Sequence, residues 1–296
     1  MAQKSAKARR ASNAQAKVAA MRQAEEARRR RIQVSIGAVV AVLVVIAVLV
    51  GIALVGGARS GGGGPVAKGQ APPKLVNAVT GVPAATFAKV GTSNVPPPLH
   101  PIKAPPLSSG GKPEVLFVGA EYCPYCAAER WAIVASLSRF GTFDHLGKTT
   151  SSPDDTPASV PTLSFHGASY TSDYLAFSSY ETQDVQRQPL EKLSGDDAKT
   201  FSKYDKPPYV SSQFAIPFLD FGGKYVLQGS SYDQRVLDGL THQQIANAMA
   251  KPKSAVAQQV DATANYISAG ICKITGGQPA SVCTAAGVKA ATAKIG

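Results

Sequence analysis

Residues 34–58, VSIGAVVAVLVVIAVLVGIALVGGA, run for 25 positions without a charged side chain. A helix needs about 20 apolar residues to cross roughly 30 Å of hydrocarbon. In lipid only an internally hydrogen-bonded backbone is tolerated, so the β-branched content is no objection. The alternative is a secretory signal cut near Gly56, Gly57 and Ala58, but the run exceeds the roughly 7 to 15 apolar residues of a signal core. The sequence therefore predicts a single transmembrane signal anchor over 32–58. The segments flanking it then lie on opposite sides of a membrane.

The net charge of +12 suggests nucleic acid until it is located. Residues 1–31 hold ten Lys or Arg against Glu25 and Glu26, which accounts for +8 of it. The remaining residues carry 21 basic and 17 acidic side chains, too even for a nucleic-acid footprint. The basic arm, 1–31, reads instead as an orienting segment beside anionic lipid, where each cation near the surface contributes about 1 kcal/mol. Cations on the N-terminal flank predict a cytoplasmic N-terminus and an extracytoplasmic main domain. There the four cysteines, Cys123, Cys126, Cys272 and Cys283, are free to form disulfides.

Beyond the anchor, residues 59–74 are Gly- and Pro-rich and read as a tether. Residues 75–250 are expected to form the main domain and 251–296 an Ala-rich helical extension carrying Cys272 and Cys283. Residues 75–90 are expected to pack on the domain edge, and the Pro-rich 91–113 to run extended over the surface. EVLFVGA (114–120) is a continuous apolar run, as in a buried central strand. CAAERWAIVASLSRF (126–140) is helical, with Trp131, Val134, Leu137 and Ser138 on one face and Glu129, Arg130 and Arg139 on the rest; Arg130, four residues after Cys126, reads as a solvated position, with electrostatic assistance to a cysteine thiolate as the alternative. PTLSFHG (161–167) reads as a strand, 184–204 as largely helical, and AIPFLDFGGKYVLQG (215–229) as a hairpin turning at Gly222 and Gly223. Thr241 to Gln244, THQQ, is a capping box opening a helix. Strands alternating with helices predict an α/β fold with parallel pairing.

The stretch AEYCPYC joins the predicted strand to the predicted helix. The nucleophile of disulfide exchange is the thiolate, and a free Cys is mostly protonated at neutral pH. A Cys at a helix N-terminus faces unsatisfied N–H groups and the positive end of the helix dipole, which favour the anion. Cys123 takes that cap position. Pro124 suits the first helical position, having no N–H to satisfy. Cys126 comes one turn later on the same side. This spacing predicts Cys123 as an exposed nucleophile and Cys126 as a shielded resolving thiol. Zinc is disfavoured, because Cys272 and Cys283 are eleven apart and no His lies near either pair. The four histidines are scattered and read as surface or turn residues.

AEYCPYC resembles the active-site turn of the thioredoxin superfamily, with Tyr122 in place of a Trp and with the Pro124-Tyr125 dipeptide typical of glutaredoxins. VLFVGAEYCPYCAAERWAIVASLSRFGTF, FHGASYTSDYL and ICKITGGQPASVC resemble, over about residues 75–290, an uncharacterised prokaryotic family of membrane-anchored thioredoxin-like proteins. The resemblance implies a thioredoxin-like fold, here with a helical insertion and a C-terminal helical extension. It also implies a groove beside the thiols formed by Tyr122, Pro124, Tyr125 and a cis-proline with its predecessor. Pro161 and Pro217 compete for that place. Ile216-Pro217 is favoured, because it leaves room for a strand and an insertion before it. Phe117 stands where thioredoxins carry a buried Asp, which argues against a general reductase and leaves oxidase, isomerase and dedicated-partner reductase open.

The expected activity is thiol–disulfide exchange with protein thiols and disulfides, supported by a membrane partner that recycles the pair. No organic cofactor is required, since the cysteines carry the two electrons. The competing reading is a binding or scaffold protein with CPYC held as a structural disulfide. Cys272 and Cys283, with Gly276, Gly277 and Pro279 between them, are expected to form a structural disulfide, with an electron-relay pair as the alternative.

Overall fold

The structure is a computed structural model that describes residues 69–296. The basic arm, the anchor expected at 32–58 and the tether up to residue 68 lie outside the described residues. Among the described residues no helix is long and apolar enough to cross a membrane.

Two short helices come first, α1 (Pro73–Thr80) and α2 (Ala84–Val90). Pro72, Pro73 and Pro83 stand at their N-terminal edges, where a missing N–H leaves nothing unsatisfied. Leu75, Val79, Phe87 and Val90 turn inward. The Pro-rich stretch after them adds only two-residue edge strands, β1 (His100–Pro101) and β2 (Ser108–Ser109), as expected of an extended connection.

The apolar run then forms β3 (Lys112–Gly119), and its period of two explains why both sides are apolar. Val115 and Phe117 join the larger core, while Leu116 and Val118 join a smaller one on the opposite face. Next come α3 (Pro124–Leu137), β4 (Thr142–Asp144), β5 (Gly147–Thr150), β6 (Pro161–Ser164), β7 (Ser169–Thr171) and β8 (Ala176–Glu181). β8 returns parallel to β3, with Val115 opposite Phe177 and Gly119 opposite Glu181. After α4 (Gly195–Tyr204), the hairpin β9 (Phe218–Phe221) and β10 (Tyr225–Gln228) pairs antiparallel to the other side of β3. The main sheet is therefore mixed, in the order β8-β3-β9-β10-β1, with β2 on the start of β3. Gly222 and Gly223 turn the hairpin at φ 59° and 73°. A side chain on Gly223 would meet the Pro105 carbonyl at 2.3 Å, so this turn needs glycine twice over.

The chain ends in α5 (His242–Met249), α6 (Ala255–Ile274), α7 (Ala280–Cys283) and α8 (Ala286–Ile295). The capping box holds: Thr241 N–H donates to Gln244 Oε1 at 2.8 Å and Gln244 N–H to Thr241 Oγ1 at 3.3 Å. α6, expected in a C-terminal extension, is buried almost throughout, from Val256 to Cys272, and packs against α3 and β9. It is thus part of the main core.

Several expectations are corrected, some by tertiary packing and one by local side-chain hydrogen bonds. α3 has no solvated face: Glu129 and Arg130 are 0 % exposed, because the helix is enclosed by α6, β6 and α1. Residues 182–194 are not helical; Asp184 Oδ1 accepts the N–H groups of Gln186 and Gln188 and folds them into a turn, so the helix starts only at Gly195. Residues 141–159 contain the short strands β4 and β5, held by pairing with β7 and β6. His242 is not a surface residue either, since its ring bonds the Thr149 carbonyl at 2.7 Å.

Cys272 and Cys283 are bonded to each other, stapling the end of α6 to α7 across 11 residues. Closing a loop of that length constrains the unfolded chain by about 3 kcal/mol. Replacing both by serine is expected to lower unfolding stability in urea by about 2–3 kcal/mol while leaving reactions at Cys123 unchanged. The bridge lies near Ile274, which packs on Gly222 at the far end of β9 from Ile216 and Pro217.

Candidate active site

β3 ends at Gly119, and a short turn brings the chain to Cys123, the N-cap of α3 at φ −74° and ψ 121°. Pro124 occupies the first helical position. The Cys123 sulfur accepts the Cys126 backbone N–H at 3.2 Å, satisfying one of the orphan donors of the helix start. When protonated, it donates to the Ile216 carbonyl at 3.7 Å. That carbonyl precedes a cis peptide bond to Pro217, at the entry to β9. Pro217, and not Pro161, therefore lies beside the thiols. Pro161 opens β6 instead, and its carbonyl accepts the Trp131 indole N–H at 2.9 Å.

The expectation of an exposed Cys123 is corrected: it is only 4 % exposed, and Cys126 is 0 % exposed. The Ile216–Pro217 segment across the cap covers the first sulfur. Tyr125 remains 45 % exposed, and Phe214, just before Ile216, 54 %. Tyr122 forms the other wall. The Arg187 guanidinium stacks 3.9 Å from its ring centroid and is held from behind by Asp155 at 2.8 Å. Burial and the neighbouring Cys123 push the Tyr122 phenol up. The Ile216 loop is pinned by Gln228, whose side chain bonds Asp205 and accepts the Ser212 N–H at 3.1 Å.

The two thiols differ electrostatically. Cys123 is held below its ordinary value, chiefly by its hydrogen bond with Cys126, then by the α3 N–H groups and Arg130, all against the effect of burial. Cys126 is pushed well above its ordinary value, first by burial and then by Cys123. Such a split suits an attacking sulfur next to a sulfur that waits protonated.

A buried ion pair lies behind the thiols. Arg130, one turn after Cys126, donates through Nε and Nη2 to Glu181 at 2.8 and 2.6 Å and to the Ala120 carbonyl at 2.7 Å. Both side chains are 0 % exposed. Glu181 carried no sequence signal, because it reaches Arg130 only through the parallel pairing of β8 with β3. Glu129 is equally buried and is held by the N–H and hydroxyl of Ser231 at 2.9 and 2.8 Å. Burial raises its pKa to about 7. Among the described residues no three His, Cys, Asp or Glu side chains converge as a metal site.

No curated protein and no solved structure matches this chain. Residues 98–273 match a protein family described as a domain of unknown function, DUF929. The match spans well over half of the chain and runs from the strands before β3 to the end of α6, taking in the CPYC turn and Ile216–Pro217. The chain belongs to the DUF929 family.

Proposed function

We propose that this chain is a thiol–disulfide oxidoreductase of thioredoxin-like fold, anchored in the cell membrane by residues 32–58 with its main domain outside the cytoplasm. The observation that carries the reading is the Cys123 cap: a sulfur at a helix N-terminus, held below its usual pKa, with Cys126 one turn behind it. The fold supports it too. A β3-α3-β8 parallel unit, then an antiparallel hairpin whose entry at Ile216 lies against Cys123, is the arrangement a thioredoxin-like site requires.

In the proposed cycle the Cys123 thiolate attacks a substrate disulfide. A Cys123–substrate bond forms, and one substrate thiolate leaves and is protonated. Cys126 then gives up its proton and attacks the Cys123 sulfur. The Cys123–Cys126 bond forms, and the second substrate sulfur departs as a thiol. The reverse sequence donates a disulfide. A membrane partner that exchanges electrons with the pair completes the cycle. Tyr122, Pro124, Tyr125, Ile216 and Pro217 form the substrate groove, and the Ile216 carbonyl, released when Cys123 is a thiolate, is offered to an extended peptide.

The scaffold reading has one observation on its side, the 4 % exposure of Cys123. Turnover decides between them. The full-length chain, supplied with a dithiol, is expected to reduce a protein disulfide in many turnovers per chain, and Cys123→Ser to stop it. A wild-type chain that does no better than the dithiol alone means the scaffold.

A further inference from the structure

Cys126 has to become an anion in order to resolve a mixed disulfide, yet it is fully buried, and burial pushes its thiol well above the usual range. Phe117 on β3 offers no proton acceptor. A layer of contacts surrounds the sulfur. A Cβ on Gly119 would lie 3.3 Å from Cys126 Sγ and 2.4 Å from the Phe117 ring, and the Arg130 guanidinium sits 5.8 Å from that ring's centroid. The charged and titratable groups facing Cys126 are Cys123 and Tyr122 from the turn and Arg130 from α3, with Glu181 of β8 bonded to Arg130. Arg130 is the cation bearing on both sulfurs. Its Nη1 is buried without any hydrogen-bond partner.

Stability does not explain such a pair, because exchanging a buried ion pair for apolar side chains is often neutral or stabilising. We propose that Arg130, oriented by Glu181, is the positioning residue that stabilises the Cys126 thiolate during resolution; this rests on the oxidoreductase reading above. In the free dithiol the Cys123 anion is held chiefly by the Cys126 thiol and the α3 N–H groups, with Arg130 a lesser contributor. Once Cys123 is tied into a disulfide it carries no charge, and the positive potential of Arg130 acts on Cys126. Cys126 then loses its proton and attacks Cys123 Sγ. The Cys123–substrate bond breaks, and the departing substrate thiolate takes up a proton, so that the pair ends as a disulfide and the substrate as a thiol.

The test uses the full-length chain, reduced, and an aromatic disulfide, 5,5′-dithiobis(2-nitrobenzoate), whose released thiolate is coloured. The first equivalent reports attack by Cys123 and the second reports resolution by Cys126. A Cys123→Ser/Cys126→Ser chain serves as the blank. The Arg130→Met/Glu181→Leu double variant removes both charges together and leaves no lone buried carboxylate. It is expected to slow the second release about tenfold at neutral pH and to raise the pH midpoint of that phase by about one unit, with the first release within about threefold of wild type. Arg130→Lys, which keeps the charge, is expected to hold the midpoint near the wild-type value. An unchanged midpoint in the double variant, or both phases slowed alike, overturns the role of Arg130. A wild-type chain that releases only the first equivalent overturns the exchange reading itself, a separate and recognisable result.

Discussion

Cys126→Ser is expected to convert the chain into a covalent trap. Cys123 keeps its cap position and the α3 N–H groups, so it still attacks a disulfide. Without the second sulfur, the Cys123–substrate bond waits for an external thiol. A sulfur held one helical turn away competes at an effective concentration far above the millimolar thiol of an assay. Release is therefore expected to slow by about 1000-fold or more. The serine hydroxyl is close in size to the thiol and can donate to the Cys123 sulfur in its place, so the fold is expected to survive the change. The check is mass analysis under non-reducing conditions. Cys126→Ser accumulates adducts that map to Cys123, and Cys123→Ser accumulates none. Equal trapping on both variants would mean that Cys123 is not the dedicated nucleophile.

The second large effect concerns stability. Asp261 lies within α6, 0 % exposed, with neither carboxylate oxygen hydrogen-bonded. Burial raises its pKa to about 8, opposed by the charge of Arg139. An acid whose folded pKa lies above its unfolded value of about 3.9 binds more protons folded than unfolded between those limits. Its contribution to stability is fully present below about pH 4 and is lost as pH rises through about 8. Asp261→Asn removes this titration while keeping nearly the same shape. At pH 7.5 it is expected to raise unfolding stability by about 2–4 kcal/mol, and at pH 4 by close to nothing. Urea unfolding at the two pH values checks it. An equal effect at both would mean that the gain comes from packing. Glu129 and Asp220, each raised to about 7 by burial, add the same trend to the wild-type protein, which should lose stability from pH 5 to 8.

Much of the site could be read directly from the sequence because it is local. A strand, a short turn and a helix are contiguous in the chain, so CPYC announces its own geometry. The hairpin announces itself in the same way through Gly222 and Gly223, and α5 through Thr241 and Gln244. Pro217 could be preferred over Pro161 only by counting the residues needed between elements, and the carbonyl of Ile216 lies against Cys123.

The residues that escaped are those whose meaning depends on distant partners. Arg130, four residues after Cys126, could be read as assisting the thiolate, but periodicity favours a solvated helix position because it assigns charged residues to water. Glu181, 51 residues on, neutralises it inside the core. Glu129 escaped for the same reason, its partner Ser231 lying 102 residues away. α6 resembled an appended helix because its Ala-rich pattern does not reveal what covers it, yet Asn265 ties it to α2 through the Phe87 carbonyl at 2.9 Å and Ser268 ties it to Ser136 on α3 at 2.8 Å. The strands β4 and β5 are too short for their own propensity to mark them.

The most direct test of the central claim is the reduction potential of Cys123–Cys126 in the full-length chain. The protein is equilibrated in glutathione buffers, alkylated, and its free thiols counted by mass. One two-electron transition is expected between about −120 and −270 mV, the span of disulfide-exchange proteins. Cys123 and Cys126 change together in it, while Cys272 and Cys283 stay bonded throughout. A Cys123–Cys126 pair that remains wholly dithiol or wholly disulfide across that span would contradict the claim.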